Sequence, residues 1–337
     1  MGILVDGEWR SEANWADAAS GEFNRLASRF RGRISAEAGA VFPVEPGRYH
    51  LYVSRACPWC HRTMIYRTLK HLEPVIPMST VEPLMLEEGW TFREADLLTG
   101  VRRVFELYLL ADPRYTGRAT VPVLWDGVQG MIVNNESSDI IRMFDTEFAA
   151  LTGDRTDYHP PELAAEIDAI NTRLYETVNN GVYRAGFATR QEPYERAVRQ
   201  LFESLDWIED RLGTHRYLAG DRLTEADWRL FPTLVRFDAV YYGHFKCNLR
   251  HVYEYPRLWA YTRELYQVPG IRQTVAIEEC KAHYFGSHRA INPSGIMPLG
   301  PELDFLVPHG RRAAPRQQGS DARQRVPDVR PPESGRS

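Results

Sequence analysis

The chain has little cysteine and little net charge, and it lacks long apolar runs. Four cysteines in 337 residues are too few for a disulfide framework, and a four-cysteine zinc site would need a second close pair beside Cys57 and Cys60. No stretch reaches the length of a transmembrane helix, and the N-terminus lacks the basic start and long apolar run of a secretory signal. We therefore expect a cytoplasmic protein that holds no metal and binds no membrane.

The formal net charge of −4 is the sum of two unlike parts. Residues 311–337 hold seven arginines and three acidic residues, a charge of +4, so residues 1–310 carry −8. An acidic body gives no reason to expect nucleic-acid binding. The segment 311–337 has two valines and no aromatic residue, and this composition predicts a disordered basic tail.

The first half of the chain predicts an α/β domain. Residues 1–45 contain few periodic stretches, which indicates an irregular N-terminal extension. Over residues 46–150 the patterns follow the order β-α-β, a connection, then β-β-α, which is typical of a thioredoxin-like domain. The strand patterns are at 49–53, 74–79, 121–125 and 131–133, and the helical patterns are at 62–69, 96–110 and 137–148.

Helical periodicity dominates after Pro160, and the fold class is therefore α/β followed by all-α. We predict a helical C-terminal domain over residues 159–310, with helices at 162–179, 192–212, 224–240 and 256–267. The start at Thr224 is sharply defined. Thr224 and Asp227 have the spacing of a capping box, in which each side chain accepts a hydrogen bond from the other's backbone amide.

The segment Arg55 to Arg62 carries the strongest chemical signal. Cys57 stands between the first predicted strand and helix, and Pro58 suits the first position of that helix. The free amides and positive end of a helix stabilise a thiolate, which is the reactive form of cysteine. Cys60 follows one helical turn later. It could resolve a disulfide on Cys57, or it could be a core residue while a thiol from solution resolves that disulfide.

Two further segments suit a thiol-peptide ligand. Thr120-Val121-Pro122 stands where thioredoxin-like folds place a cis proline that leaves the preceding backbone free for the ligand, although a trans proline is equally compatible with the sequence. Asn134 to Ser138 opens a predicted helix. An N-cap serine there would bind a carboxylate beside free amides, and Glu136 could accept from an amino group.

Together these motifs resemble the glutathione transferase superfamily, and specifically its glutathionyl-hydroquinone reductases, the Xi class. The resemblance covers about residues 42–308. Six segments carry it: Cys57–Arg62, Gly89–Trp90, Gly117–Asp126, Asn134–Ser138, Asn179–Ala188 and Tyr241–Asn248. It implies a thioredoxin-like domain and a helical glutathione-transferase domain, with dimers formed through the helical domains.

The resemblance also implies a reaction. Glutathione is the co-substrate that reduces a glutathionyl-hydroquinone to the hydroquinone. Cys57 would attack the glutathione sulfur to give a mixed disulfide, and a second glutathione would release oxidised glutathione. Tyr183 corresponds to the tyrosine that exchanges a proton with the substrate, and Tyr241 and Tyr284 to two tyrosines that favour the thiolate.

The glutathione-binding residues are carried over in the same way. They are Trp90, Arg118, Ala119, Thr120, Val121, Glu136 and Ser137. Many relatives have another residue at the position of Cys60, so a dithiol oxidoreductase using Cys57 and Cys60 stays open as an alternative. A conjugating glutathione transferase is the other alternative, but a cysteine at that position would trap glutathione as a disulfide.

Overall fold

A four-stranded sheet organises the first half of the chain in this computed structural model, which describes residues 2–11 and 16–311. The strands are β1 (Ile3–Val5), β2 (Glu8–Arg10), β3 (Ile34–Ser35), β4 (Phe42–Pro43), β5 (Tyr49–Val53), β6 (Met78–Thr80), β7 (Val123–Asp126) and β8 (Met131–Asn134). The sheet has the order β6-β5-β7-β8, and β5 runs parallel to β6 but antiparallel to β7. Its helices are α1 (Pro58–Leu69), α2 (Val104–Ala111) and α3 (Ser137–Thr146). This topology confirms the thioredoxin-like arrangement.

Two predicted elements are shorter than the sequence pattern indicates. The helix expected at 96–110 is confined to α2, because Asp96 instead closes a turn by accepting from the backbone amides of Leu98 and Thr99 at 3.2 and 2.9 Å. The strand expected at 74–79 is confined to β6, since two prolines at 74 and 77 cannot donate backbone hydrogen bonds to a strand ladder.

The second half is helical, as expected. Its helices are α4 (Ala149–Thr152), α5 (Ala164–Leu174), α6 (Gly181–Gly186), α7 (Gln191–Arg211), α8 (Glu225–Arg236), α9 (Tyr242–His244), α10 (Pro256–Gln267) and α11 (Ile277–Ser287), with 3₁₀ turns at Val252–Glu254 and Ile271–Thr274. The backbone amide of Thr224 donates to Asp227 at 2.8 Å, which confirms the predicted capping box at the start of α8.

Two single π-helical turns interrupt the predicted helices. The pattern at 162–179 divides into α5 and a π-turn at Tyr175–Asn179, and the pattern at 224–240 divides into α8 and a π-turn at Phe237–Tyr241. Single π-turns inside helices are frequent at functional sites. Hydrophobic periodicity does not distinguish them from regular α-helix, and it also did not indicate α6 or α11.

The N-terminal extension is more regular than predicted. β1 and β2 form a hairpin, and Leu4 exchanges two backbone hydrogen bonds of 2.9 Å with Gly117, which immediately precedes Arg118. The extension therefore packs against the first domain at the segment expected to bind glutathione. Backbone pairing between residues as far apart in sequence as Leu4 and Gly117 leaves no local sequence pattern from which it could be predicted.

The C-terminal end of the described chain closes on the helical domain. Arg311 donates to Glu264 at 2.6 Å, so this first residue of the predicted tail is attached to α10. Residues 312–337, on which the rest of that prediction falls, lie outside the described residues. Within the described ranges no helix has the length and apolarity to cross a membrane, and no group of three potential metal ligands occurs.

Candidate active site

Cys57 joins the first sheet strand to the first helix of the domain. It is the N-cap of α1, in extended conformation, and Pro58 occupies the first turn as predicted. Its side chain is 9% exposed, and Sγ lies 3.7 Å from the carbonyl oxygen of Val121. The Val121–Pro122 peptide is cis, which resolves the choice that the sequence left open. Cys57 thus faces the backbone expected to receive the cysteinyl part of glutathione.

The environment of Cys57 favours its thiolate. Burial raises the pKa of the thiol, but hydrogen bonds from the Cys60 thiol and from the Cys60 and Trp59 amides, with the charge of Arg236, lower it to about 7. Cys60 is fully buried, and burial together with its hydrogen bond to Cys57 raises its pKa well above the ordinary value. The Cys57 thiol is therefore the more acidic of the pair, and the Cys60 thiol stays protonated at neutral pH.

Two adjoining cavities open beside Cys57. The larger, of about 590 Å³, is bounded by the extension, the Gly117–Pro122 segment and the start of α3. The smaller, of about 100 Å³, contains Cys57 and is bounded by aromatic residues of both domains. They share five wall residues: Arg25, Trp59, Arg118, Thr120 and Val121.

Ten of the eleven predicted site residues line these cavities. Glu136 and Ser137 line the larger one, Arg118, Thr120 and Val121 line both, and the smaller one receives Cys57, Trp90, Ala119, Tyr183 and Tyr284. The eleventh, Tyr241, is fully buried and contacts Tyr284. The fold thus brings together residues separated by more than two hundred positions.

The start of α3 differs from the prediction in one respect. The N-cap is Glu136 and not a serine: one Glu136 carboxylate oxygen accepts from the Ser138 amide at 3.1 Å, and the other accepts from the Ser28 hydroxyl at 3.1 Å. Ser137 is the first residue of the helix. The carboxylate thus already satisfies the helix amide it caps, while Ser137 and the remaining amides form the wall of the larger cavity.

Arg118 brings a positive charge to the wall that both cavities share. Burial, followed by the nearby charge of Arg25, lowers the pKa of Arg118 to about 10, so it is still a cation at neutral pH. The neighbouring backbone is held by Tyr108, whose hydroxyl donates to the Thr120 carbonyl at 2.8 Å. A fixed backbone and a cation are what an anionic peptide needs for recognition.

Trp90 forms the other side of the smaller cavity. Its side chain is buried, and its ring stacks on His283 with 4.7 Å between ring centroids. Burial is the largest of the causes that lower the pKa of His283 to about 4, so the stacked imidazole is neutral. Trp90 therefore presents a fixed apolar surface beside Cys57.

The three predicted tyrosines form one hydrogen-bonded group. The Tyr183 and Tyr284 hydroxyl oxygens are 2.5 Å apart, and those of Tyr284 and Tyr241 are 3.2 Å apart. Burial, with the charge of Cys57, raises the pKa of Tyr183 to about 12, and burial raises those of Tyr241 and Tyr284 well above the ordinary value. All three are neutral phenols that can donate protons at physiological pH.

Sequence reasoning missed two arginines of the site. Arg25, from the extension, lies 4.7 Å from the ring centroid of Trp59 and 5.0 Å from that of Tyr183, and it lines both cavities. Arg236, from α8, donates to the carbonyl of Ala56 at 3.0 Å. Neither stands in a motif with Cys57, so no sequence signal pointed to them.

Comparisons with known proteins agree with this architecture. Residues 56–147 match the family model of the glutathione S-transferase N-terminal domain, and residues 191–264 match that of the C-terminal domain. The chain is 52% identical to Escherichia coli glutathionyl-hydroquinone reductase YqjG over 92% of its own length and 98% of that protein. It is 51% identical to glutathionyl-hydroquinone reductase PcpF of Sphingobium chlorophenolicum, over 89% and 96%.

Solved structures give the same result. The glutathione-bound structure of YqjG superposes with a TM-score of 0.85 at 49% identity, covering 92% of this chain and 99% of that one. The Xi-class glutathione transferase of Natrialba magadii superposes with a TM-score of 0.87 at 49% identity, covering 92% and 96%.

Proposed function

The chain belongs to the Xi class of the glutathione transferase family, and on that premise we propose that it reduces glutathionyl-hydroquinones through a mixed disulfide on Cys57. The observation that carries this proposal is the position of Cys57, whose pKa is lowered to about 7, in the smaller of two cavities that share a wall. The larger cavity suits a peptide, and the smaller, aromatic-lined cavity suits an aromatic ring. A glutathionyl-hydroquinone consists of these two parts joined at sulfur.

We propose that glutathione occupies the larger cavity. Its γ-glutamyl carboxylate would bind at Ser137 and the free amides of α3, and Glu136 would accept from its amino group. The cysteinyl part would pair with the backbone of Val121, beside Cys57 Sγ. Arg118 would bind the glycyl carboxylate beside Thr120 on the wall that both cavities share. Ala119 and Trp90 line the smaller cavity, and they would cover the tripeptide where it reaches Cys57.

The first chemical step would then break the bond between sulfur and the aromatic ring. The Cys57 thiolate attacks the glutathione sulfur, a sulfur–sulfur bond forms, and the electron pair of the sulfur–carbon bond stays on the ring carbon. That carbon takes a proton from Tyr183, and free hydroquinone leaves. The pKa of Tyr183 near 12 keeps this proton in place until the ring carbon becomes strongly basic.

The second step would restore the enzyme. A glutathione thiolate attacks the glutathionyl sulfur of the mixed disulfide, oxidised glutathione forms, and the electron pair returns to Cys57 as thiolate. Tyr183 recovers a proton from the thiol of this second glutathione as that thiol becomes the thiolate, and the 2.5 Å hydrogen bond from Tyr284 would stabilise the intervening tyrosinate. Tyr241 would support Tyr284 through the 3.2 Å contact, so the group acts on the thiolate and on the proton together.

A dithiol reductase is the second candidate, because Cys60 stands one helical turn from Cys57 and its thiol lowers the pKa of Cys57. In that route Cys60, and not a second glutathione, would attack the mixed disulfide on Cys57. The product would be a Cys57–Cys60 disulfide. The full burial of Cys60 and its raised pKa favour the one-cysteine route, since a protonated thiol is a poor nucleophile.

We also propose that the protein forms a homodimer through its helical domain, and that it acts in the cytoplasm. These two proposals rest on the family alone. Light scattering coupled to size-exclusion chromatography would test the first, with twice the 38.8 kDa chain mass expected. A single chain mass at micromolar concentration would contradict it.

A turnover assay tests the proposed reaction. With a glutathionyl-hydroquinone and glutathione, the protein should release hydroquinone and oxidised glutathione in equal amounts, and Cys57→Ser should abolish both. Equal activity in Cys57→Ser would overturn the proposal. Transfer of glutathione onto an electrophile, without formation of oxidised glutathione, would support the conjugating transferase instead.

A further inference from the structure

Arg236 links the helical domain to the backbone immediately before Cys57. It stands at the end of α8, and its side chain is fully buried. The guanidinium donates to two successive carbonyls of the loop between β5 and α1, those of Arg55 and Ala56, each at 3.0 Å. Cys57 is the next residue, so Arg236 fixes the turn that presents the sulfur.

The remaining contacts of Arg236 leave its charge uncompensated. The guanidinium also donates to the Pro232 carbonyl at 3.0 Å and to Nδ1 of His61 at 2.7 Å. Among the described residues these partners are three carbonyls and a ring nitrogen, and none is an anion. The Cys280 thiol also interacts with the guanidinium, but burial raises its pKa and it is neutral. A buried cation without an anionic partner is costly, which indicates a use for its charge.

His61 does not alter that balance, because it is neutral. Burial, and then the charge of Arg236, holds its pKa well below the ordinary value. Nε2 of His61 lies 2.8 Å from the Thr274 hydroxyl, which itself donates to the Ile271 carbonyl at 2.6 Å. The Thr274 hydroxyl must therefore accept from Nε2–H, which leaves Nδ1 free to accept from Arg236.

The other titratable groups near Arg236 come from the loop before α1, from α1, α6 and α11, and from the π-turn at Phe237–Tyr241. Arg55 is compensated by Glu279, with 3.3 Å between the charged atoms. Five groups are protonated and neutral at physiological pH because burial raises their pKa values, namely Tyr183, Tyr241, Tyr284, Cys60 and Cys280. His283 is also neutral, because burial lowers its pKa to about 4. Cys57 is the remaining group, and its thiolate is the one anion of this set that can balance Arg236 without an ion pair of its own.

We propose that Arg236 is a positioning residue of the reaction, which holds the Cys57 sulfur as the thiolate through its uncompensated buried charge and fixes the turn before it through the Arg55 and Ala56 carbonyls. The inference rests on the proposed function in one respect, that Cys57 is the nucleophile. It assigns to the helical domain a direct part in the reactivity of a cysteine that stands on the other domain.

The test separates the charge of Arg236 from its hydrogen bonds. The readout is the rate of iodoacetamide alkylation at Cys57 as a function of pH, followed by mass spectrometry of the Cys57 peptide. Arg236→Gln keeps two donors but removes the charge, and it should raise the apparent pKa of Cys57 by about one unit or more. Arg236→Lys keeps the charge and should raise it by less than about half a unit. An unchanged pKa in Arg236→Gln, or an equal rise in both variants, would overturn the proposal.

A second pair of variants leaves Arg236 in place, in case its replacement prevents folding. His61→Glu puts a carboxylate against the guanidinium and should raise the pKa of Cys57, because the new ion pair cancels the charge. His61→Gln can keep both hydrogen bonds of the histidine without adding charge and should leave the pKa unchanged. Equal pKa values in these two variants would contradict the proposal.

Arg48→Gln provides the matched control. Arg48 is also an arginine whose side chain is 9% exposed, but it is paired with Asp126 at 2.7 Å, beside the opposite end of β5 from Cys57. This variant should lower the stability without moving the pKa of Cys57. Alkylation uses neither glutathione nor a hydroquinone, so failure of the Arg236 proposal and failure of the proposed reaction can be told apart.

Discussion

The hydroxyl oxygens of Tyr183 and Tyr284 lie 2.5 Å apart, although the two residues are 101 positions apart in sequence. The contact joins α6 to α11. Each of these two helices contributes one of the tyrosines to the wall of the smaller cavity. A tyrosine that gives up its proton here is left as a tyrosinate that still accepts a hydrogen bond. This is the arrangement expected for a proton donor that must be restored in every cycle.

Tyr183→Phe should therefore slow the release of hydroquinone while leaving the thiol intact. Loss of a positioned general acid costs on the order of 10²-fold or more in kcat. We expect a loss of that order in hydroquinone release, measured by stopped-flow or chromatography, with the alkylation rate of Cys57 changed by less than about threefold.

Tyr66→Phe is the matched control for that variant. Tyr66 is fully buried in α1, and its hydroxyl has no hydrogen-bond partner in the described part of the chain. Loss of the Tyr66 hydroxyl should leave kcat for hydroquinone release unchanged. Wild-type kcat in Tyr183→Phe would remove Tyr183 from the proposed mechanism.

The pH dependence of Cys57 follows from its pKa of about 7. Below that pH the alkylation rate should rise about tenfold per pH unit, and above it the rate should level off, because the thiolate is then fully formed. kcat/KM for the glutathionyl-hydroquinone should follow the same rise. A midpoint near 9, the ordinary value of the thiol, would show that the site does not activate Cys57.

The lowered pKa of Cys57 also makes the free energy of unfolding depend on pH. The pKa of the thiol is lower in the folded protein than its ordinary value of 9.0, so thiolate formation stabilises the fold at high pH. That contribution should be fully present above about pH 9 and lost as the pH falls through about 7. Comparing the free energies of unfolding of the wild type and Cys57→Ser across this range measures it, and a parallel pH dependence of the two proteins would contradict it.

Substitutions at Cys60 distinguish a hydrogen-bond donor from a resolving thiol. Cys60→Ser keeps a donor and should retain full turnover, whereas Cys60→Ala loses the hydrogen bond and should raise the pKa of Cys57. Cys247→Ala, at a buried cysteine outside both cavities, should change neither. Loss of turnover in Cys60→Ser with an unchanged pKa of Cys57 would support the dithiol route.

Arg118→Ala tests the proposed glutathione site. Removing a charge-assisted hydrogen bond costs about 1.5–3 kcal/mol, so the dissociation constant of glutathione, measured by calorimetry, should rise by roughly 10-fold to 150-fold. Arg250→Ala removes an exposed arginine that pairs with Asp206 and should leave the affinity unchanged. Equal affinities in the two variants would place the glycyl carboxylate elsewhere.

Local chemistry explains which parts of this site could be predicted from the sequence. Cys57 and Pro58 are adjacent, so the start of α1 follows from the preference of proline for the first helical position. The capping box at Thr224 is equally local. The glutathione-binding residues and the tyrosines came from the family resemblance, since seventeen tyrosines in the chain give no basis for choosing three.

Contacts between distant segments explain what could not be predicted. Arg236 lies 180 positions from Ala56, and Arg25 reaches the site through an extension that carries no periodic pattern. The preference of serine for helix N-caps predicts a serine at the start of α3. Glu136 is the N-cap instead, and its second carboxylate oxygen accepts from the Ser28 hydroxyl of the distant extension, a contact that no local pattern indicates.

The central claim is that the glutathionyl group passes to Cys57. The reduced protein should be mixed with a glutathionyl-hydroquinone in the absence of free glutathione, and the Cys57 peptide should then be analysed by mass spectrometry, with Cys60→Ser treated in parallel. The account predicts one glutathionyl group on Cys57 in Cys60→Ser and release of about one equivalent of hydroquinone. Hydroquinone released from a protein whose Cys57 stays unmodified would contradict it.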